Sequence, residues 1–364
     1  MKQHEGSRAL WGLGAGLALV TVTVLGIALA GGAASGGVLG LRYSVPDGIS
    51  PAAHAIYARY APLLAAASLV AKAPHTAKEF AARRADDEAK AVKDMPGQLA
   101  ALGVTWSEQR LGGVDVLELR PPNWRDDGTV LIHAHGGGWV LGSARSSAPL
   151  ASQLAITSGR RVISVDYTVA PQAQWQQVTD QIVAVYRAVL ASGIAPRGIG
   201  LVGESAGGDI VAATTLKLRD QGLQMPGALL LLSPGMDLAM KSDTWTTLRE
   251  ADPVLSDEDS IRAAIALYVP RAADLENPYV SPIYGDFSKG YPPVLMQVGT
   301  REIVLSDSVR LYQAVKNAGG SAVLDIYEGM PHVFVGYMKD TPEQKAAFDT
   351  GRRFWATYLQ AKSS

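Results

Sequence analysis

The pentapeptide Gly203-Glu204-Ser205-Ala206-Gly207 sets a hydroxyl between small residues two positions before and two after it. It follows the β-forming run Ile199-Gly200-Leu201-Val202 and precedes a helix-forming stretch that starts near Gly208. A serine at a sharp strand-to-helix turn needs a strained backbone with no bulk beside it, and so stands exposed as a nucleophile. A hydroxyl is a weak nucleophile until a neighbouring base takes its proton. Of six histidines, His4, His54, His75, His133 and His135 lie upstream of Ser205, and only His332, in Gly329-Met330-Pro331-His332, lies downstream. In the chain order serine, acid, histidine, the base is therefore His332. An acid that fixes the imidazole should follow the run Val294 to Val298, where the chain reads Gly299-Thr300-Arg301-Glu302-Ile303-Val304-Leu305-Ser306-Asp307. Glu302 and Asp307 are both within reach there. Seventy residues before Ser205 comes His135-Gly136-Gly137-Gly138-Trp139. Three consecutive glycines free the backbone to aim N–H groups at a ligand, and with the N–H of Ala206 they suit the negative oxygen that develops in acyl transfer.

These residues need a frame that brings them together. From Gly103 onward the chain alternates short β-forming runs with helical stretches. The predicted strands are Val114 to Leu119, Thr129 to His133, Arg161 to Val165, Gly198 to Val202, Ala228 to Leu232, Val294 to Val298 and Ala322 to Tyr327. The predicted helices are Ala148 to Ser158, Val178 to Ser192, Ala206 to Gln221, Asp307 to Ala318 and Pro342 to Ala361. Such alternation predicts an α/β fold, a mostly parallel sheet with helices on both faces. Two intervals fall outside it: Pro51 to Met95, which reads as two helices, and about Asp237 to Tyr291, with a helix-like Asp257 to Tyr268 among prolines. Both are expected to form a lid over the carboxyl edge of the sheet. The predicted division is residues 43–101 as a helical cap segment and 102–364 as the catalytic domain, with a cap insertion at about 237–291.

Taken together, the HGGG run, the G-E-S-A-G pentapeptide, Asp166-Tyr167-Thr168-Val169-Ala170-Pro171, Leu232-Ser233-Pro234 and Gly329-Met330-Pro331-His332 resemble the motifs of the hormone-sensitive lipase family of α/β-hydrolases. The resemblance covers about Gly103 to Ala361. It implies a carboxylic ester hydrolase of short to medium acyl esters or lactones, with Gly137, Gly138 and Ala206 as oxyanion donors and no metal or organic cofactor. The family usually places an aspartate two residues after the glycine that ends the acid strand, and here that residue is Arg301. Members with a similar G-T-R-E segment use the following glutamate, which favours Glu302 over Asp307. The implied reaction is two-step acyl transfer through Ser205, His332 and Glu302. Trp139, Trp245, Tyr268 and Tyr284 are either pocket walls or core.

Composition narrows the alternatives. Lys and Arg total 33 against 34 Asp and Glu, so no field exists to hold nucleic acid. The absence of cysteine excludes thiolate metal sites and a cysteine nucleophile. Lys2 and Arg8 precede the apolar stretch Ala9 to Ala30, whose 22 residues approach the roughly 20 that span a bilayer. Residues 1–42 are therefore expected to be a membrane anchor, or a cleaved signal ending at Ala28-Leu29-Ala30, with the catalytic domain outside the cytoplasm. A homodimer is compatible with this reading. The same nucleophile and base would serve an amidase or peptidase, and a catalytically silent binding protein of this fold is the remaining alternative.

Overall fold

The computed structural model of the chain describes residues 45–59 and 73–360. Its centre is an eight-stranded sheet built from β1 (Thr105–Leu111), β2 (Val114–Arg120), β3 (Val130–Ala134), β4 (Arg161–Val165), β5 (Ile199–Glu204), β6 (Ala228–Leu232), β7 (Val294–Gly299) and β8 (Ala322–Tyr327). The spatial order is β1-β2-β4-β3-β5-β6-β7-β8. Strand β2 runs antiparallel to β1 and β4, and every other pairing is parallel.

The continuous apolar run of β6 shows why the sheet is covered on both faces. Leu229 and Leu231 enter one core cluster, with Val130, Ile132, Leu201 and Met296. Leu230 and Leu232 enter the other, with Leu131, Val202, Leu295 and Trp355. Successive side chains point to opposite faces of a strand, so four consecutive leucines are all buried, each contributing about 1.5–3 kcal/mol. Helices α1 (Ala77–Ala101), α2 (Ala148–Ser158), α3 (Trp175–Ala191), α4 (Ala206–Asp220), α5 (Thr244–Thr247), α6 (Glu258–Tyr268), α7 (Leu305–Asn317) and α8 (Pro342–Tyr358) accompany the sheet.

The expected strands and helices form with shifted ends, the short α5 is an addition, and two further differences have a clear cause. Strand β1 was not anticipated from the sequence: Thr-Trp-Ser-Glu-Gln-Arg-Leu lies at the sheet edge with four exposed residues in succession, so burial imposes no apolar pattern on it. Helix α1 continues through Pro96 to Ala101, past the expected end at Met95. It is held there by Met95 and Leu99, both buried in the core. Packing at that end outweighs the one backbone donor that proline removes.

The two intervals outside the alternation meet each other. His75, at the start of α1, contacts Asp257 at 3.3 Å, and Ser260 Oγ on α6 donates to the Pro74 carbonyl at 2.7 Å. Residues 51–59 are helical and lie elsewhere, against the loop that carries His332: Tyr57 donates from its hydroxyl to the Gly329 carbonyl at 2.8 Å. Among the described residues no helix is long and apolar enough to cross a membrane. The expected anchor at residues 1–42 lies outside the described residues.

Candidate active site

Ser205 sits between the end of β5 and the first residue of α4, with φ of 54° and ψ of −123°. That strained conformation depends on its small neighbours. A Cβ on Gly203 would fall on the Gly207 carbonyl, and one on Gly207 on the Ala134 carbonyl of β3. The turn is thus closed so tightly that only glycine fits on either side, and the serine hydroxyl is left half-buried at the carboxyl edge of the sheet.

The structure brings His332 and Glu302 to that hydroxyl. His332 Nε2 lies 2.8 Å from Ser205 Oγ, and His332 Nδ1 lies 3.1 Å from Glu302 Oε2. An ionised carboxylate only accepts, so Nδ1 carries the proton and Nε2 is left to accept from the serine. Glu302 is fully buried and His332 nearly so. The other carboxylate oxygen, Oε1, accepts from the Gly299 N–H at 2.5 Å and from Ser233 Oγ at 2.9 Å. The Ser233 oxygen in turn accepts from the Val333 N–H at 2.9 Å, which ties the acid to the residue after the histidine. Burial pushes the Glu302 carboxyl up, and the hydrogen bond and charge of His332 offset only part of that rise.

Asp307, the other acid within reach by sequence, is placed elsewhere. Its Oδ2 accepts from the N–H groups of Met236 and Asp237 at 2.7 and 3.0 Å, and its Oδ1 from Trp245 Nε1 at 3.3 Å. It therefore anchors the segment after β6 and does not touch His332.

The glycine run follows β3 and lies against the nucleophile turn, since a Cβ on Gly136 would stand 3.2 Å from that of Ser205. Gly137 and Gly138 have φ of 119° and 59°, values that favour glycine. Their N–H groups and that of Ala206 donate to no protein acceptor among the described residues. The loop is held from beneath by three groups. Glu204 Oε1 accepts from the Gly136 N–H at 2.8 Å, while its Oε2 lies 2.6 Å from His133 Nε2. Burial raises the Glu204 carboxyl, but the charge and hydrogen bond of His133 and the bond from Gly136 outweigh it and hold Glu204 below the usual carboxylate range. Tyr167, from the Asp166–Pro171 segment, donates to the His135 carbonyl at 2.6 Å and stacks on the His135 ring at 4.1 Å. Burial pushes the His135 imidazole down to about 4, so it is neutral at physiological pH.

Sequence reasoning named Ser205, His332, Glu302, Gly137, Gly138 and Ala206, and these come together. It missed Ser233, Glu204, His133 and Tyr167 as supports. Glu204 was legible as a residue inside the pentapeptide, but its partner His133 read only as the end of a strand. Of the four aromatic residues considered as pocket walls, Trp139, Trp245 and Tyr268 are buried core, and Tyr284 is half-buried with its hydroxyl on Asp237 at 2.9 Å. A cavity of about 300 Å³ opens between α1 and the segment after the glycine run, lined by residues including Arg84, Glu88, Val140 and Asp166. Neither Ser205 nor His332 lines it. Among the described residues no cluster of three or more His, Asp or Glu side chains is gathered to hold a metal ion.

Comparison with known proteins bears on the fold and the family. Residues 131–336 match the family described by the alpha/beta hydrolase fold. An esterase of Acinetobacter venetianus is 36% identical over 218 residues, covering 60% of this chain and 71% of that protein. An acetyl-hydrolase of Streptomyces hygroscopicus is 34% identical over 233 residues, covering 64% of this chain and 77% of that protein. The crystal structure of an esterase from the bacterial hormone-sensitive lipase family is similar with a TM-score of 0.71 at 30% identity, covering 85% of this chain and 99% of that one. By its fold, its ordered motifs and these relatives, the chain belongs to the hormone-sensitive lipase family of α/β-hydrolases.

Proposed function

We propose that this carboxylic ester hydrolase works by acyl transfer through Ser205, with His332 as base, Glu302 as the acid that orients it, and the N–H groups of Gly137, Gly138 and Ala206 as the oxyanion hole. The observation that carries the reading is the chain of contacts from Ser205 Oγ to His332 at 2.8 Å and on to Glu302 at 3.1 Å, beside three N–H groups with no protein acceptor among the described residues. Ser205 attacks the ester carbonyl as His332 Nε2 takes its proton. The imidazolium is steadied by Glu302, and its proton goes to the departing alcohol. Water then attacks the acyl-enzyme by the same route.

The preferred substrates are esters or lactones of short to medium acyl groups, in keeping with the acetyl-hydrolase and esterase names of the relatives. The cap consists of the start of α1 and the 237–291 insertion, joined through His75–Asp257 and Ser260–Pro74. The Ala9–Ala30 stretch is read as an anchor, or as a signal whose cleavage releases the protein, and in either case the catalytic domain lies outside the cytoplasm. Protection of the catalytic domain from added protease in spheroplasts would refute that location.

The test of the function is hydrolysis of p-nitrophenyl acetate, butyrate and decanoate by the purified protein beside Ser205→Ala. Cleavage of the short esters by the wild type alone supports the reading. A Ser205→Ala variant with wild-type turnover refutes it, because that variant lacks the hydroxyl on which the acyl transfer depends.

A further inference from the structure

One buried ionisable group takes no part in the chemistry above. Asp209 lies in the first turn of α4, four residues after Ser205, and is fully buried. Its Oδ2 accepts from Trp139 Nε1 at 2.9 Å, and its Oδ1 has no hydrogen-bond partner among the described residues. Trp139 ends the glycine run in a left-handed conformation, φ 64°, which is costly for a bulky residue and persists only where the surroundings enforce it. Three contacts enforce it here: the bond to Asp209, the Ala170 N–H donating to the Trp139 carbonyl at 2.9 Å, and the ring of Tyr268 stacked on the indole at 5.6 Å. Tyr268 belongs to α6 of the insertion, is fully buried, and its hydroxyl also has no partner among the described residues. The same helix meets the preceding glycine, since a Cβ on Gly138 would stand 3.9 Å from that of Ala264.

We propose that Asp209 is a positioning residue for the oxyanion hole: by holding the Trp139 indole it fixes the turn that aims the Gly137 and Gly138 N–H groups, and the Tyr268 stack makes that aim depend on α6 being seated. The inference rests on the acyl-transfer reading of the site. The chemistry of the residue fits this task. Burial pushes the Asp209 carboxyl up, toward the neutral form; the Trp139 bond offsets only part of the rise, and Asp307 adds to it. A neutral acid accepts from the indole through its carbonyl oxygen and adds no charge to repel the oxyanion developing nearby. Asparagine would do the same, whereas leucine, of similar size, would leave the indole donor buried and unmatched.

The experiment compares Asp209→Asn, Asp209→Leu and Trp139→Phe with the wild type in the full-length protein, with Ser205→Ala as control. Two readouts are taken: kcat and KM on p-nitrophenyl butyrate, and the inhibition constant of an alkyl trifluoromethyl ketone, whose adduct with the serine places an oxyanion in the hole. Asp209→Leu and Trp139→Phe are expected to lower kcat roughly 10- to 100-fold, to change KM less than about twofold, and to weaken the ketone by the same factor as kcat. Asp209→Asn is expected to return within about threefold of wild type on both readouts.

Trp139→Phe keeps a ring for the stack and removes the indole donor, so it decides the matter together with Asp209→Asn if Asp209→Leu does not fold. Wild-type kcat in Trp139→Phe, a kcat loss with undiminished ketone affinity, or an Asp209→Asn variant as poor as Asp209→Leu would each overturn the inference. Any of these with an inactive Ser205→Ala sinks the inference alone. An active Ser205→Ala sinks the site assignment on which it stands.

Discussion

Glu302→Gln replaces a carboxylate by an amide of the same shape, and the structure dictates which way that amide must point. At the Oε1 position two donors converge, the Gly299 N–H at 2.5 Å and the Ser233 hydroxyl at 2.9 Å. The Ser233 oxygen also accepts from the Val333 N–H while its own proton points to the acid. The glutamine oxygen is expected in the Oε1 place, because the amide nitrogen there would face the Gly299 N–H, which can only donate and would be left buried and unmatched. That turns the NH2 group toward His332 Nδ1. The imidazole then accepts at Nδ1, carries its proton on Nε2, and can no longer take the proton of Ser205. Enforcing the wrong tautomer in a serine triad costs about 10⁴ in kcat, equivalent to about 5.5 kcal/mol of lost transition-state stabilisation. The assay is steady-state hydrolysis of p-nitrophenyl butyrate at neutral pH, with the fold checked by circular dichroism and Asp307→Asn run beside it. Asp307→Asn should keep most of its kcat, because Asp307 bonds the segment after β6 and not the histidine. A folded Glu302→Gln variant with more than about a tenth of wild-type kcat would refute the tautomer argument and, with it, the role of Glu302.

Ser233→Ala removes the bridge between Glu302 and the Val333 N–H, and kcat on the butyrate ester should fall about tenfold at unchanged KM; an unchanged kcat would show that the bridge is dispensable. Burial pushes the Asp307 carboxyl up to about 7, so its ionisation opposes folding. This cost is absent below about pH 4, grows as pH rises toward 7, and reaches up to about 4 kcal/mol above it. Urea unfolding of wild type and Asp307→Asn at about pH 4.5 and pH 8 should show the wild type losing the more stability between the two, and equal losses would refute the assignment. Gly207→Ala drives a Cβ into the Ala134 carbonyl and should destabilise the fold by about 3 kcal/mol or leave it insoluble; a soluble variant with wild-type thermal stability would contradict the packing described for the turn.

The extent to which the sequence could be read follows from how locally each constraint is written. Strands buried on both faces, such as Leu229 to Leu232, declare themselves because every residue must be apolar. Strand β1 does not, because pairing with β2 on one edge stabilises it while its side chains face solvent. The proposed nucleophile Ser205 was legible because steric closure of its turn requires glycine at 203 and 207, a demand expressed within five residues. The proposed acid was only half legible: Glu302 and Asp307 lie five positions apart on one segment, and what separates them is contact with His332 in one case and with the Met236 and Asp237 backbone in the other. Both partners are distant in sequence, and no spacing rule encodes them.

The groups that hold the site rigid were hidden for the same reason in stronger form. His133 meets Glu204 across β3 and β5, and Trp139 meets Asp209 across the glycine run and α4. In sequence each reads as an ordinary polar or aromatic residue within an element. Backbone strain points to the same ground. Of the seven non-glycine residues with positive φ among the described residues, four are Trp139, Ser205, Ser233 and Val333. Conformations of this kind cost on the order of 1–3 kcal/mol each and endure only where surrounding contacts over-determine them. Here those contacts are the Asp209 bond on Trp139, the glycine-lined turn around Ser205, and the shared hydrogen bond between Ser233 and Val333. These contacts keep four strained positions gathered around one hydroxyl, and their polar members are the residues at which substitution should separate turnover from substrate binding.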